Sequence, residues 1–172
     1  MAVQLSGQPD QAAALYGRAL ALARQTGDRH TEAALLNNVG LLEQRAGQAG
    51  KAEELFRAAL EINRKLPRRN PDAALEYVRF LQLGSRSVEA EEVLREVLVW
   101  NPFSPEAHAE RAKLLAAGGK WEKVAEEAEF VLRNAGENVD LLRAAHLLLA
   151  RAYYRLNQPE KAKLHQSWLK SN

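Results

Sequence analysis

Histidine is the side chain most often recruited for metal ligation and for proton transfer near neutral pH. The sequence holds four, His30, His108, His146 and His165. They fall one per segment, without the His-x3-His or HExxH spacing that sets two imidazoles on one helix face, so no metal centre is expected. Cysteine is absent, which removes thiolate ligands, iron–sulfur sites, disulfides and thiol catalysis. Gly118-Gly119-Lys120 lacks both a preceding strand and the spacing of a phosphate-binding loop, and reads as a turn between helices with Trp121 packing at the next helix start. The carboxylates Glu53-Glu54 and Glu126-Glu127 are adjacent along helices and diverge by about a third of a turn, so neither pair forms an acid/base couple. No catalytic residue, cofactor or metal is expected, and the chain reads as non-enzymatic.

The side chains that suggest recognition are of another kind. Arg151 and Arg155 stand four apart on one helical stretch with Tyr154 beside them, and arginine and tyrosine are enriched where interfaces concentrate their binding energy. Arg151 can pair a carboxylate through two N–H groups, and Tyr154 can cover an apolar side chain. Asn37 and Asn38 each offer an amide that both donates and accepts, which suits a peptide backbone.

These residues sit in a chain of 172, with 47% hydrophobic and 27% charged residues and a formal charge of +2. Apolar content of that order with so small a net charge argues against disorder. Apolar runs such as Leu147–Ala150 fall far short of the about 20 residues of a membrane span. Met1–Asp10 show neither a basic start nor an apolar stretch, so no secretory leader is visible; this favours the cytoplasm and leaves the periplasm open. The isoelectric point near 9.0 comes from a close balance of charges rather than a basic surface, and nucleic acid is not an expected partner. Basic residues do gather near the end, with Arg143, Arg151, Arg155, Lys161, Lys163 and Lys170 against the single acid Glu160 after Leu141.

The chain repeats itself. Gly7–Leu20 (GQPDQAAALYGRAL) and Gly47–Leu60 (GQAGKAEELFRAAL) share six of fourteen positions, and Tyr16 matches Phe56 in kind. Weaker echoes follow at Ala90–Val97, Gly119–Val131 and Asn157–Leu169. Aligned on Ala12, Ala52, Ala90, Val124 and Ala162, the steps are 40, 38, 34 and 38 residues. Helical periodicity, start signals at Pro9-Asp10, Thr31, Pro71-Asp72, Ser104-Pro105 and Gln158-Pro159, and stops at Gly27, Gly47, Pro67, Gly84, Pro102, Gly119 and Gly136 predict helices near 9–26, 31–46, 49–65, 71–83, 87–100, 105–117, 120–134, 139–156 and 159–171. Nothing reads as strand.

The pattern resembles the tetratricopeptide repeat (TPR), in which a large residue is followed by a small one, then an aromatic, then alanine and a second aromatic. Leu36, Val39, Gly40, Ala52, Phe56 and Ala59 carry it in the second unit, and Val78, Leu81, Ala90, Leu94, Val97 and Pro102 in the third. Ala112, Leu115, Trp121 and Val124 carry it in the fourth, and Leu149, Ala150, Tyr153 and Ala162 in the fifth. Glu43, Arg111 and Val124 depart from it, standing where an aromatic, leucine and alanine are usual. The resemblance implies an all-α fold, a right-handed α-solenoid of antiparallel helix pairs forming a single array over 1–172, with units near 1–28, 29–68, 69–103, 104–138 and 139–172. Small residues let paired helices approach, large ones fill the seams, and stability comes from stacking.

The resemblance also implies a protein–protein interaction scaffold that holds a peptide or protein segment of unknown identity in a concave groove lined by the first helix of each pair. Family geometry directs Asn37, Asn38, Leu41 and Arg45 of the second unit into that groove, with Leu75 and Arg79 of the third. Lys113 of the fourth and Arg143, Arg151, Tyr154 and Arg155 of the fifth complete the set. A clamp of lysines, asparagines and arginine for a partner's C-terminal carboxylate is known in the family. Only Asn38 fits it, so that mode is not expected. The alternative reading is an assembly module. Residues 1–6 are too short to supply a first helix for the opening pair, which predicts either excision from a longer array or a homodimer through the exposed flank around Tyr16.

Overall fold

The computed structural model describes residues 7–171, with side chains from Ala14 onward. Among the described residues run nine helices: α1 (Gly7–Thr26), α2 (Arg29–Arg45), α3 (Ala49–Arg64), α4 (Pro71–Leu83), α5 (Ser87–Trp100), α6 (Pro105–Ala117), α7 (Trp121–Asn134), α8 (Val139–Arg155) and α9 (Pro159–Ser171). No strand occurs among them. The helices pack in sequential antiparallel pairs, and the all-α repeat expectation holds.

Local chemistry sets the boundaries. Asp28, rather than Thr31, opens α2: its carboxylate accepts from the Thr31 amide at 3.0 Å, and Thr31 Oγ1 donates to its other oxygen at 2.6 Å. Ser104 caps α6 ahead of Pro105, and Asn138 caps α8. The first helix of each pair ends in one recurrent turn. A left-handed residue follows the cap, and the next amide reaches back to a carbonyl five residues earlier: Gln48 to Glu43 (2.8 Å), Arg86 to Leu81 (2.9 Å), Lys120 to Leu115 (3.0 Å) and Gln158 to Tyr153 (2.8 Å). After α4 the left-handed residue is Ser85 (φ 58°), not the neighbouring Gly84 that the sequence suggests.

The described residues form two compact units, the first closing at Phe80 and the second opening at Leu81. In the first, Gly40 lies against Phe56 so closely that a Cβ on Gly40 would stand 2.9 Å from the ring's Cε1. Phe56 is fully buried and its ring packs with Tyr77 (centroids 6.2 Å apart) and Phe80 (5.4 Å). A second cluster joins Ala33, Leu36, Ala59, Ile62 and Ala73.

In the second unit one cluster joins Ala116, Val124, Ala125, Ala128, Leu149, Ala152, Tyr153 and Ala162, and another joins Ala109, Val131, Ala135 and Ala145. Both are alanine-rich. Short side chains at helix crossings let neighbours approach to the near end of the about 8–10 Å range for packed helices. The aligned anchors behave alike: Ala52, Ala90 and Val124 are 0% exposed and Ala162 is 2%. The Ala12 side chain lies outside the described residues.

Candidate functional site

In the first unit, Asn37 and Asn38 line a cavity of about 220 Å³ together with His30, Asn63, Asn70 and Asp72. Asn37 is 8% exposed, and its Oδ1 has no hydrogen-bond partner among the described residues. A buried carbonyl-type oxygen left without a donor costs about 1–3 kcal/mol, which a ligand N–H recovers. Asn38 is exposed beside it.

Sequence reasoning missed the wall opposite. Asn63, 1% exposed at the end of α3, donates through Nδ2 to the Asn70 carbonyl and accepts the Asn70 amide at Oδ1 (2.8 Å). Asn70 in turn accepts the Asp72 amide at 2.9 Å and starts α4. One buried amide thus fixes the α3–α4 loop as the cavity's rim.

Other first-unit candidates are placed elsewhere. Leu41 is half-buried and Arg45 exposed, and neither lines the cavity. Leu75 is 2% exposed, so this expected groove residue is committed to packing and offers a ligand no surface; it stands three positions before Val78 (0% exposed) on α4 and shares that residue's inward face. Arg79 pairs with Glu76 on the same helix.

In the second unit, Lys113 reaches Glu110 at 3.0 Å, a carboxylate on a residue only 1% exposed. Its ammonium therefore serves a buried charge whose neutralisation the fold needs. The α8 residues do come together. Arg143, Arg151 and Arg155 are exposed at four- and eight-residue spacings, with Leu147 (55% exposed) between them and Tyr154 (71%) alongside. Arg151 and Arg155 lie over the Trp121 ring, with guanidinium carbons 5.2 Å and 5.6 Å from its centroid. Such stacking orients both guanidinium groups while leaving their N–H edges to solvent. Leu147 was legible only as part of an apolar run.

The histidines of the second unit sit in two different settings, one packed against an aromatic ring and one pair in mutual contact. His108 is 8% exposed, stacks on Phe130 (centroids 3.8 Å), and bridges Glu127 (Nδ1, 2.6 Å) and the Pro102 carbonyl (Nε2, 2.9 Å). His146 and His165 approach Nδ1 to Nδ1 at 2.9 Å between α8 and α9, beneath Trp168 stacked 4.0 Å from His146. Burial and each other's charge push the His146 imidazole below its ordinary value; burial also lowers His165, against the opposing pull of Glu129. No group of three His, Cys, Asp or Glu among the described residues has the geometry of a metal site, and no described helix is long and apolar enough to cross a membrane.

Comparison with known proteins agrees with this architecture. Family models described as tetratricopeptide repeat match residues 1–65 and 43–114. No curated protein sequence matches the chain. Among solved structures, BtubC (BKLC) from P. vanneervenii is 18% identical over 96% of this chain and 73% of its own, with a TM-score of 0.81. PilF from Pseudomonas aeruginosa is 17% identical over 95% and 75%, with a TM-score of 0.65. YrrB, described as a TPR protein with an unusual peptide-binding site, is 16% identical over 87% and 80%, with a TM-score of 0.57. At these identities the likeness is one of fold. With nine helices among the described residues, enough for about 4.5 repeats, and two overlapping family matches, the chain belongs to the tetratricopeptide repeat family, whose domains are generally non-enzymatic protein–protein interaction modules.

Proposed function

We propose that the chain is a non-enzymatic scaffold that binds an extended peptide segment of a partner protein, with Asn37 and Asn38 holding the peptide backbone. The observation that carries this reading is the Asn37 Oδ1, buried on a cavity wall and lacking a donor among the described residues. A backbone N–H entering the cavity supplies that donor, and exposed Asn38 can meet the adjoining carbonyl. In the second unit the α8 strip of Arg143, Arg151, Tyr154 and Arg155 suits carboxylate and apolar side chains of such a segment. The YrrB description, that of a repeat protein with a peptide site, supports the same reading by analogy of fold.

Peptides selected by display against the full chain test it. Asn37→Ala is expected to weaken the selected peptides about 10-fold or more, in line with loss of one buried hydrogen bond. Equal affinity for the parent and Asn37→Ala would remove Asn37 from the site. Within the display-selected set, Arg151→Ala with Arg155→Ala is expected to weaken the acidic members more than the neutral ones.

A second reading, self-association through α1, is favoured by Leu15 (58% exposed) and Leu22 (59%), seven residues apart on one helix face. Sedimentation equilibrium of the parent and of Leu15→Glu with Leu22→Glu decides it: association lost in the variant supports it, and a monomeric parent at high concentration ends it.

A further inference from the structure

In the second unit a cavity of about 500 Å³ lies between α5 and the end of α6. None of its lining residues belongs to α8 or to the Asn37 cavity. Leu94, Leu98 and Val99 from α5 and Leu114 and Leu115 from α6 make its walls apolar. Its volume falls within the about 300–1,000 Å³ typical of ligand pockets. The cavity coincides with a departure from the repeat pattern. Arg111 stands where leucine is usual, and its guanidinium is drawn to Glu127 at 2.6 Å.

The rim is basic. Arg95, Arg111 and Lys120 border the cavity against the single acid Glu91. Arg95 and Lys120 have no carboxylate partner among the described residues, and the buried Nε of Arg111 has no acceptor there. Apolar surface also continues past the cavity along α5, where Val88 and Val99 are 73% and 77% exposed. Eleven residues of helix separate them, roughly 16 Å. That length exceeds a small carboxylic acid and matches a few residues of polypeptide.

We propose that this α5–α6 pocket is a second docking site, one that takes an acidic amphipathic segment of a partner protein, with bulky apolar side chains seated between α5 and α6 and flanking carboxylates on Arg95 and Lys120. The apolar walls supply desolvation and the rim supplies sign selectivity, so exchange of acid for base in the segment reverses the electrostatic term.

The test uses the full chain and a fluorescein-labelled, end-blocked hexapeptide of two leucines, one phenylalanine and three glutamates, beside its counterpart with lysines replacing the glutamates. Fluorescence anisotropy is expected to show saturable binding of the acidic peptide and at least 10-fold weaker binding of the basic one. Arg95→Glu with Lys120→Glu, both at exposed positions, is expected to abolish that preference. Leu98→Asp is expected to weaken the acidic peptide at least 10-fold, with thermal unfolding followed in parallel. Asn37→Ala and Arg151→Ala are expected to leave this binding unchanged, which separates it from the peptide site proposed above. The proposal is overturned if the acidic peptide does not bind, if both peptides bind alike, or if the charge reversals on the pocket rim leave binding intact. It is overturned equally if binding follows Arg151 rather than Arg95 and Lys120.

Discussion

Gly40 shows how a single hydrogen in place of a methyl sets a helix spacing. Alanine has the higher helix propensity by about 1 kcal/mol. Its Cβ, however, would stand 2.9 Å from the ring of a fully buried Phe56 that Tyr77 and Phe80 hold in place. Overpacking of this sort costs about 1–3 kcal/mol, so Gly40→Ala is expected to lower stability by about 1 kcal/mol despite its better propensity. Chemical denaturation checks the sign; a more stable variant would mean the ring yields. Ser85 is the converse case. It occupies a left-handed conformation (φ 58°) at a helix end where three sister turns use glycine or asparagine. Ser85→Gly is expected to raise stability by about 0.5–1 kcal/mol, read as a higher Tm. The small residues at repeat anchors were legible because periodicity marks them. Asn63 was not: its role depends on a loop amide seven residues away, and an asparagine near a helix end carries no signal of that partner.

At the scale of elements, helix limits were legible almost to the residue because caps and turn residues punctuate every pair. What helices bring together was less so. His146 and His165 are nineteen residues apart, and only the antiparallel return of α9 along α8 sets their Nδ1 atoms 2.9 Å apart. One imidazole must donate and the other accept, so the acceptor is neutral. Glu129 on α7 and Tyr153 on α8 complete the cluster, with Lys161 on α9 lying 4.9 Å over the Tyr153 ring. Both histidines titrate lower folded than their ordinary 6.5. The unfolded chain therefore binds more protons, and stability falls as pH drops through and below 6.5. Tm is expected to decrease from about pH 7.5 to about pH 5.5, and His146→Gln with His165→Gln to flatten that slope. An unchanged slope in the double variant would exclude the pair as its source. Tyr153 acts at the other extreme: burial, then its hydrogen bond to Glu129 and that carboxylate's charge, push its hydroxyl up to about 12.

For the molecule as a whole, the sequence made the family and its general class of work readable, since the repeat recurs along the chain at matching spacings. It did not reveal which of the expected groove residues keep their side chains uncommitted. Leu75 is spent on packing, and Arg79 and Lys113 on carboxylates of their own helices. Asn37 and the α8 strip are not so committed. A net charge of only +2 means that recognition depends on local arrangement rather than on a long-range field. The most direct measurement is an NMR titration of the full chain with a display-selected peptide, following side-chain amide resonances. The account predicts that the Asn37 and Asn38 amides shift on binding and that Asn37→Ala weakens the titration about 10-fold. Saturable binding that leaves both amides unmoved would contradict it.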